Sequence, residues 1–379
     1  MSAALLLWLS LALAAYTFLG YPLLAALLAR RYGREPRLPA GYGRATPPLT
    51  VVIAARNEAA GIGARIDNLL ACDYPADSLQ VLIADDGSDD GTAEAALAAG
   101  DPRVRVLRLP QPVGKAAALS AAMAKVETEF TVFADARQRF DRSALRELAA
   151  PFSDPAIGAV AGELLIGSDE RSVAGNGMYW RIERALREAE SRLGWAHAAS
   201  GAIYAIRSAL FRPIPAGLLL DDVYTPLQVV RAGQRIWVAR GAQAYDSTGS
   251  ELAHEFRRKL RTLAGNWQLI AAQPWLLSPR RNPVLFAWAS HKLARLVAPW
   301  ALLAALLTAG LAEGPLAQLA FWSQIAAYAL AVAAIAFPRL TRRIPLASAA
   351  GSFLALNAAA LLSLPVWLGH RDLGQLWKR

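Results

Sequence analysis

Long stretches without a charged residue limit what this chain can fold into. Asp, Glu, Lys and Arg are absent from residues 1–29, 314–338 and 344–369. Each stretch reaches or exceeds the roughly 20 apolar residues that a helix needs to cross the hydrocarbon core of a bilayer. Hydrophobic residues make up 55% of the 379 residues and charged residues only 18%. The stretches predict a membrane protein, and the composition excludes a disordered, collagen-like or coiled-coil chain.

The net charge of +10 is typical of a nucleic-acid-binding protein. Many of the basic residues, however, flank the apolar stretches, as Arg30 and Arg31 do after the first and Arg342 and Arg343 do before the last. Lysine and arginine concentrate there because of the positive-inside rule and the anionic lipid headgroups. We therefore expect membrane lipids as partners and no nucleic acid. The single cysteine, Cys72, excludes an intramolecular disulfide.

The chain divides into membrane segments around one soluble module. The predicted parts are a transmembrane anchor (1–29), a linker (30–48), a soluble domain (49–250), amphipathic or interfacial helices (251–295), C-terminal transmembrane helices (296–369) and a tail (370–379). Within these parts we expect a basic helix over Glu251–Ala272, a helix lying at the interface over Asn282–Arg295, and spans over Pro299–Leu311, Pro315–Phe337 and Leu346–Leu368.

The first stretch lacks the basic start of a cleaved signal peptide and is followed by arginines. It is therefore predicted to be a retained anchor with its N-terminus outside, which places the soluble domain in the cytoplasm. Four full spans leave the tail outside. In the alternative, Asn357 and Pro365 break the last segment into a re-entrant pair, and the tail returns to the cytoplasm.

Between residues 49 and 162 the hydrophobic pattern alternates between strand-like and helix-like segments. The predicted strands are Leu49–Ala55, Leu79–Ala84, Val104–Leu107, Phe130–Ala134 and Ile157–Gly162. The predicted helices are Ala59–Ala71, Thr92–Ala98, Lys115–Val126 and Ser143–Ala150. This order predicts an α/β domain with a mostly parallel sheet, whose ligands bind outside the carboxyl ends of the strands.

Charged residues follow the first two strands at that edge. Arg56 and Glu58 come directly after the first strand, and Asp85 and Asp86 end the second. Carboxylates there are costly to bury without a partner, and they can accept hydrogen bonds from a nucleobase or ribose. The next pair, at residues 89 and 90, comes after the turn glycine and is interpreted either as ligand-binding or as turn and cap residues.

Three further sites combine charge with a strand or helix end. Lys115 begins a helix, where its charge opposes the helix dipole unless an anion such as a diphosphate lies nearby; the alternative is a solvated lysine. Asp135 follows the fourth strand, and its oxygens suit Mg²⁺ or Mn²⁺. Asp221 and Asp222 follow an apolar run, so that one can serve as a general base and the other as a helix cap.

Together these residues resemble the family 2 glycosyltransferases with a GT-A fold, especially the membrane-integrated branch of cellulose, hyaluronan and poly-N-acetylglucosamine synthases. The resemblance covers about residues 49–270 and, in architecture, the C-terminal spans. It implies a GT-A domain between membrane helices in the bacterial inner membrane. It also implies an inverting transfer of sugar from a nucleotide-diphospho-sugar, a UDP-sugar, to a lipid-linked or polysaccharide acceptor in cell-envelope glycan synthesis.

The same resemblance implies donor-side roles for several residues. Arg56, Glu58, Asp85 and Asp86 would hold the base and ribose. Lys115 matches the basic residue of the family's Gly-Lys segment. Asp135 matches the first acid of the D-x-D motif that holds the metal ion.

On the acceptor side, Ser200–Arg207 looks like the acceptor loop, with Gly201 and Asp221 among the binding residues. Asp222 matches the catalytic base. Arg258 and Arg261 fall in the segment that aligns with the Q-x-x-R-W motif.

Two positions depart from the family pattern. Arg137 replaces the second acid of D-x-D, so either Asp135 holds the metal nearly alone or Arg137 takes over part of the phosphate charge. In the Q-x-x-R-W segment, Arg258 replaces Gln and Thr262 replaces Trp. Because that motif accompanies processive polymerisation, the resemblance implies sugar transfer without deciding between processive and single transfer.

Two other readings remain open from the sequence. Gly61 and Gly63 follow the first strand and Asp85 ends the second, which resembles part of a dinucleotide-binding fingerprint of oxidoreductases. The third glycine of that fingerprint is replaced by Ile66. The second reading is a membrane scaffold with a transferase fold that has lost activity, as Arg137 suggests.

Overall fold

The predicted anchor lies within the first long helix of the protein, which leads to the soluble domain. The structure is a computed structural model and describes residues 2–37, 46–166, 178–246, 252–337, 339 and 344–369. Helix α1 covers Ala3–Tyr32 and includes a π-helical turn at Tyr16–Gly20. Residues 38–45 of the predicted linker and the predicted tail 370–379 lie outside the described residues.

The soluble domain alternates strands and helices, apart from two consecutive strands between residues 130 and 140. The strands are β1 (Leu49–Ala55), β2 (Leu79–Asp85), β3 (Val104–Arg108), β4 (Phe130–Ala134), β5 (Arg139–Phe140), β6 (Ile157–Ile166), β7 (Ile203–Arg207) and β8 (Arg235–Asp246). The helices are α2 (Ala59–Leu70), α3 (Thr92–Leu97), α4 (Lys115–Met123), α5 (Ala144–Ala149), α6 (Met178–Leu193) and α7 (Asp221–Arg231). The helices after this domain are α8 (Leu252–Ala272), α9 (Leu285–Leu311), α10 (Pro315–Ala336) and α11 (Pro345–Gly369).

All eight strands form one sheet in the order β3-β2-β1-β4-β7-β6-β8-β5. The first four are parallel, with Ala55 of β1 opposite Asp85 of β2 and Val52 opposite Phe133 of β4. β7 runs antiparallel between β4 and β6, whereas β6 and β8 pair in parallel. The prediction of an α/β domain with a mostly parallel sheet is confirmed.

Two apolar cores lie on the two faces of the sheet. One contains Ile62 and Ile66 of α2 together with Leu145 and Leu148 of α5. The other contains side chains of α4, α7 and α8, with Trp288 at the start of α9. Strand β1 contributes to both cores because alternate side chains point to opposite faces. This explains why the sequence of β1 is apolar except for Thr50.

The five predicted strands are all present and begin at the predicted residues. β5, β7 and β8 were not predicted. Ser200–Arg207, expected as an acceptor loop, is largely strand: Ile203–Arg207 pairs with both β4 and β6 in the middle of the sheet. Only Ser200, Gly201 and Ala202, at the turn before β7, lie outside it.

Four helices, α1, α9, α10 and α11, are long and apolar enough to cross a membrane by length and composition. The prediction of a separate interfacial helix over Asn282–Arg295 is wrong, because residues 285–311 form one continuous helix with a π-helical turn at Ala289–Leu293. The predicted boundary at residue 295 therefore falls inside α9. Helix α11 is also continuous through Asn357 and Pro365, which contradicts the re-entrant alternative.

Gly162 lies where β6 packs closely against its neighbours in the sheet. A Cβ at this position would lie 2.5 Å from the carbonyl oxygen of Ala242 and 2.9 Å from a side-chain carbon of Ile203. We expect Gly162→Ala to lower the stability by about 1–3 kcal/mol, because backbone and core have to shift. The measurement is the unfolding midpoint of the detergent-solubilised protein.

Gly63→Ala provides the matched control. Gly63 lies in α2, and nothing lies within 4 Å of the Cβ position. This substitution should leave the midpoint unchanged or raise it, since alanine favours a helix by about 1 kcal/mol over glycine. Equal midpoints for the two variants would contradict the close packing at Gly162.

Candidate active site

The loops after β1 and β2 are tied together at the carboxyl edge of the sheet. Asn57 has a φ of 55°, and its N–H donates to Ser88 Oγ at 3.0 Å. Asp90 accepts hydrogen bonds from the backbone N–H groups of Ala59 and Thr92, both at 3.0 Å. Asp90 is therefore a turn and cap residue, which was one of the two interpretations of its sequence position.

Asp85 and Asp86 are both buried, with 5% of each residue exposed. Asp85 Oδ1 accepts from Ser88 N–H at 3.2 Å. Asp86 accepts from Val113 N–H at 2.6 Å and from Gly114 N–H at 2.9 Å. Asp86 thus fixes the loop that leads into α4, a supporting contact that the sequence did not reveal.

Glu58 and Arg137 form an ion pair across the edge. Arg137 Nε lies 2.9 Å from Glu58 Oε1, and the Arg137 side chain is 73% exposed. Arg56 is also exposed. The residue that replaces the second acid of the D-x-D motif is therefore directed to an acidic partner on the neighbouring loop.

Lys115 is surrounded by carboxylates at the start of α4. Its Nζ lies 2.8 Å from Asp135 Oδ1 and 3.5 Å from Asp221 Oδ2. Burial alone lowers the pKa of Lys115, but the charges of Asp135, Asp221 and Asp222 outweigh it and raise that pKa above its usual value. The alternative of a solvated lysine is therefore wrong. The carboxylate of Asp135 is therefore an anion beside the start of α4, where the sequence predicted one.

Asp222 lies on the first turn of α7 and touches the turn before β7. Its Oδ2 accepts a hydrogen bond from Gly201 N–H at 3.1 Å, and a Cβ on Gly201 would lie 3.2 Å from that oxygen. Burial and the neighbouring charge of Asp221 raise the pKa of Asp222 to about 6. Burial also raises the pKa of Asp221, against the attraction of Lys115. Asp222 can therefore exchange a proton near neutral pH.

Helix α8 crosses the start of α7 and carries two arginines to this edge. Its placement is fixed by Gln268, whose side chain accepts from Leu219 N–H at 3.0 Å and donates to Gly217 O at 2.9 Å. Burial lowers the pKa of Arg261, and the charges of Asp222 and Asp135 act in the opposite direction. Arg261, predicted from the Q-x-x-R-W segment, is thus within electrostatic reach of the acids. Arg258 lies one turn earlier on the same helix.

Arg65 is a supporting residue that the sequence analysis missed. It lies on α2 and is buried, and its Nε donates to the backbone oxygen of Asp135 at 3.2 Å. Its guanidinium lies 4.2 Å from the ring centre of Phe140. Burial lowers the pKa of Arg65 to about 10, so it remains charged at neutral pH. Arg65 thereby holds the end of β4 in place beneath the Asp135 side chain.

Three aromatic residues that could stack on a sugar are instead packed within the protein. Tyr204 stacks on Phe133 with ring centres 4.8 Å apart. Trp195 meets Phe286 edge to face at 5.5 Å. The indole N–H of Trp267 donates to a serine of α11 at 3.0 Å.

A second buried charge cluster lies where α1, α6 and α9 meet. Tyr21 O–H donates to Glu190 at 2.7 Å, and His291 contacts Glu190 through Nδ1 at 2.9 Å and Glu183 through Nε2 at 3.1 Å. Arg295 lies 2.7 Å from Glu183. Burial raises the pKa of the Glu183 carboxyl, but the charges of His291 and Arg295 outweigh it and hold that pKa well below its usual value.

The ligand atoms of Glu190, His197 and His291 lie within 4.8 Å of one another, a spacing that also suits a metal ion. However, both ring nitrogens of His291 already lie within hydrogen-bond distance of the carboxylates of Glu190 and Glu183. Burial lowers the pKa of His197 to about 3. With Arg295 supplying further positive charge, the cluster is already compensated as an ion network.

The glycines of the dinucleotide-binding reading lie inside α2, where neither has a positive φ. They form no phosphate-binding turn, so that reading is wrong. The observed sheet, with a lysine and three aspartates at the carboxyl edge, defines a transferase domain of the GT-A type.

A family model described as "Glycosyltransferase like family 2" matches residues 47–265. The chain belongs to this family. Among solved structures, the mannosyltransferase PcManGT from Pyrobaculum calidifontis, in complex with GDP-Man and Mn²⁺, superposes with a TM-score of 0.70 over 96% of this chain and 99% of that chain. At 24% identity, this likeness is one of fold.

Curated relatives match parts of the chain. An N-acetylglucosaminyltransferase from Rhizobium meliloti (strain 1021) is 29% identical over 191 residues, which are 48% of this chain and 43% of the relative. A beta-monoglucosyldiacylglycerol synthase from Synechocystis sp. is 31% identical over 118 residues, which are 30% of this chain and 25% of the relative. Each of these two matches thus spans less than half of the relative's length.

Proposed function

We propose that this protein is a membrane-bound, inverting glycosyltransferase. It would move a sugar from a nucleotide-diphospho-sugar, a UDP-sugar, to a lipid-linked or polysaccharide acceptor in cell-envelope glycan synthesis. The observation that carries the proposal is Asp222, a carboxylate with a pKa raised to about 6, beside a lysine and two further acids at the carboxyl edge of the sheet. A base with a pKa near the working pH is suited to proton abstraction.

The donor is assigned to the loops after β1 and β2. Arg56 and Glu58 flank the Asn57 turn, and Asp85 and Asp86 lie opposite them in the neighbouring strand end. In the proposal these four residues bind the base and ribose. The two oxygens of Asp86 already accept backbone N–H groups, so its contribution includes shaping the loop before Lys115.

In the proposed reaction Asp222 accepts the proton of the acceptor hydroxyl. The hydroxyl oxygen forms a bond to the anomeric carbon while the bond from that carbon to the diphosphate oxygen breaks on the opposite face. The nucleotide diphosphate leaves with the bonding electron pair, and the configuration at the anomeric carbon inverts. Lys115, Arg258 and Arg261 offset the charge of the leaving group. Gly201 N–H keeps the Asp222 carboxylate oriented.

The residues at this edge fit a divalent cation. Asp135, Asp221 and Asp222 gather three carboxylates around one lysine, and the side chain of Asp135 is 36% exposed. One or two carboxylates with substrate phosphates and water are the usual ligands of Mg²⁺. We assign Mg²⁺ or Mn²⁺ to Asp135, where the ion would neutralise diphosphate charge. The ion-paired Arg137 is not a ligand.

The acceptor class is supported by two relatives. The Synechocystis protein is named as a synthase of a glucosyl lipid, and the Rhizobium meliloti protein as an N-acetylglucosaminyltransferase. The four apolar helices would place the acidic edge near lipids. This placement supports the lipid-linked acceptor of the proposal.

The base assignment is tested with Asp222→Asn. We expect this variant to lose about 10²–10⁴-fold in turnover, because only the proton-accepting group is removed. Binding of the nucleotide sugar should stay within a few-fold, since Asp222 is not assigned to the donor. The measurement is the release of nucleotide diphosphate from a panel of UDP- and GDP-sugars. Lack of release by the wild-type protein with every donor would favour the inactive scaffold.

Asp221→Asn is the matched control and carries a pH signature. The reaction needs ionised Asp222, so wild-type kcat/KM should fall as the pH drops below about 6. The charge of Asp221 raises the pKa of Asp222. Removing the Asp221 charge should therefore lower the pKa of Asp222. The fall in kcat/KM then occurs at a lower pH, while activity persists. If Asp222→Asn keeps wild-type turnover and Asp221→Asn loses it, Asp221 is the base.

Metal dependence is tested by chelation. We expect EDTA to abolish transfer, added Mg²⁺ or Mn²⁺ to restore it, and Asp135→Ala to be inactive with or without added metal. The physical reason is that the diphosphate leaves with charge that the ion offsets. Full activity in EDTA would assign that role to the cationic side chains alone.

We place α1 with its N-terminus outside, the soluble domain in the cytoplasm and the loop at Glu313 outside, in the bacterial inner membrane. Arg30 and Arg31 in the last turn of α1 support this orientation. In a protein with Cys72 replaced, a cysteine at Glu313 should react with an impermeant maleimide in intact cells, and one at Gln111 only after lysis. The reverse pattern contradicts the proposal. A third cysteine at Gln375 reports the side of the tail.

A further inference from the structure

A cavity of about 430 Å³ lies between the C-terminal end of α1 and the C-terminal end of α6. Its charged wall contains Arg34, Arg192 and Arg235, and its apolar wall contains side chains such as Tyr32 and Trp195. It is separate from the acidic edge and uses none of the residues assigned to sugar transfer.

The cavity is built by fixed backbone contacts. Arg34 N–H donates to the carbonyl of Arg192 at 2.8 Å. A Cβ on Gly33 would clash with the carbonyl oxygen of Ala29 and lie 3.1 Å from Arg192 Cβ, so glycine favours this close approach. Arg235 Nη2 donates to the backbone oxygens of Arg34 and Ser191 at 2.9 and 3.1 Å. These contacts bring the three arginines to one cavity.

Positive charge exceeds negative charge in this wall. Glu35 lies 3.1 Å from Arg192 Nε, but the angle makes no hydrogen bond, and that buried nitrogen has no acceptor among the described residues. None of the carboxylates among the described residues forms an ion pair with Arg34. A guanidinium fork matches the oxygens of a phosphate group.

The helix that supplies Leu28 and Tyr32 to the other wall also carries exposed apolar side chains. On α1, Leu23 and Leu27 are 63% and 62% exposed. Trp195 contacts Phe286, which is half exposed at the start of α9. Aromatic residues between an apolar surface and a basic cluster are typical of the membrane–water boundary. A ligand that fits both walls has a phosphate and an apolar chain.

We propose that this cavity binds the phosphate headgroup of an anionic membrane phospholipid, whose acyl chains lie along the exposed leucines of α1. Basic pockets beside membrane helices on the cytoplasmic side bind anionic headgroups in this way. The bound lipid neutralises the arginines that the fold gathers there. The proposal does not depend on sugar transfer, so its test is independent of activity.

The test uses the purified full-length protein in dodecyl maltoside micelles. Phosphatidylglycerol, phosphatidylcholine or inorganic phosphate is added, and the rise in the unfolding midpoint gives an apparent affinity. We expect saturable stabilisation by phosphatidylglycerol alone. Arg34→Gln and Arg192→Gln should each weaken it about five-fold, the effect of one basic residue near an anionic lipid. Arg34→Gln keeps the backbone contacts and therefore decides the outcome if Arg192→Gln unfolds.

Arg30→Gln and Arg31→Gln are the matched controls, because they remove the same charge outside the cavity wall. Both should keep the wild-type affinity for phosphatidylglycerol. Equal losses in these controls would assign the effect to diffuse surface charge and overturn the site. Equal protection by phosphatidylcholine would overturn the requirement for an anion. Protection by inorganic phosphate would show a soluble ligand in place of a lipid.

Discussion

One half-buried lysine holds the acidic edge of this protein together. Lys115 joins the end of β4 to the start of α7 through Asp135 and Asp221, at 2.8 and 3.5 Å. Without that charge, three acids in a buried site would repel one another, and at least one would take up a proton. The Asp86 contacts to the preceding loop and the Arg65 contact to the end of β4 both serve this arrangement. The acidity of Asp222 is therefore a property of the whole edge.

Much of the sheet could be predicted from the sequence because its strands are buried on both faces. Leu49–Ala55 and Phe130–Ala134 are continuous apolar runs bounded by turn residues, and both form strands over the predicted range. The acids at strand ends were visible for the same reason, since a parallel sheet brings these ends to one edge. β8 was missed because Arg235 and Arg240 interrupt its apolar pattern. Antiparallel β7 carries no sequence signal of its direction.

Contacts between distant residues could not be read from the chain. The basic residues around His291 and Arg295 looked like those of an interfacial helix, because nothing nearby in sequence neutralises them. Their partners, Glu183 and Glu190, lie about a hundred positions earlier on α6. With those partners in place the charges are buried against protein, and α9 continues without a break. The ion pair of Arg137 with Glu58 is hidden in the same way.

The network of Tyr21, Glu190 and His291 joins the soluble domain to two membrane helices by buried polar contacts. Removing one partner of a buried ion pair costs about 3–5 kcal/mol, so a fragment cut free of α1 and α9 would keep carboxylates without their cations. Catalytic domain and anchor are consequently one folding unit rather than a head on a flexible tether. In the proposed membrane orientation, the height of the acidic edge above the bilayer is then a fixed dimension of the molecule, and the proposed acceptor has to present its hydroxyl at that height.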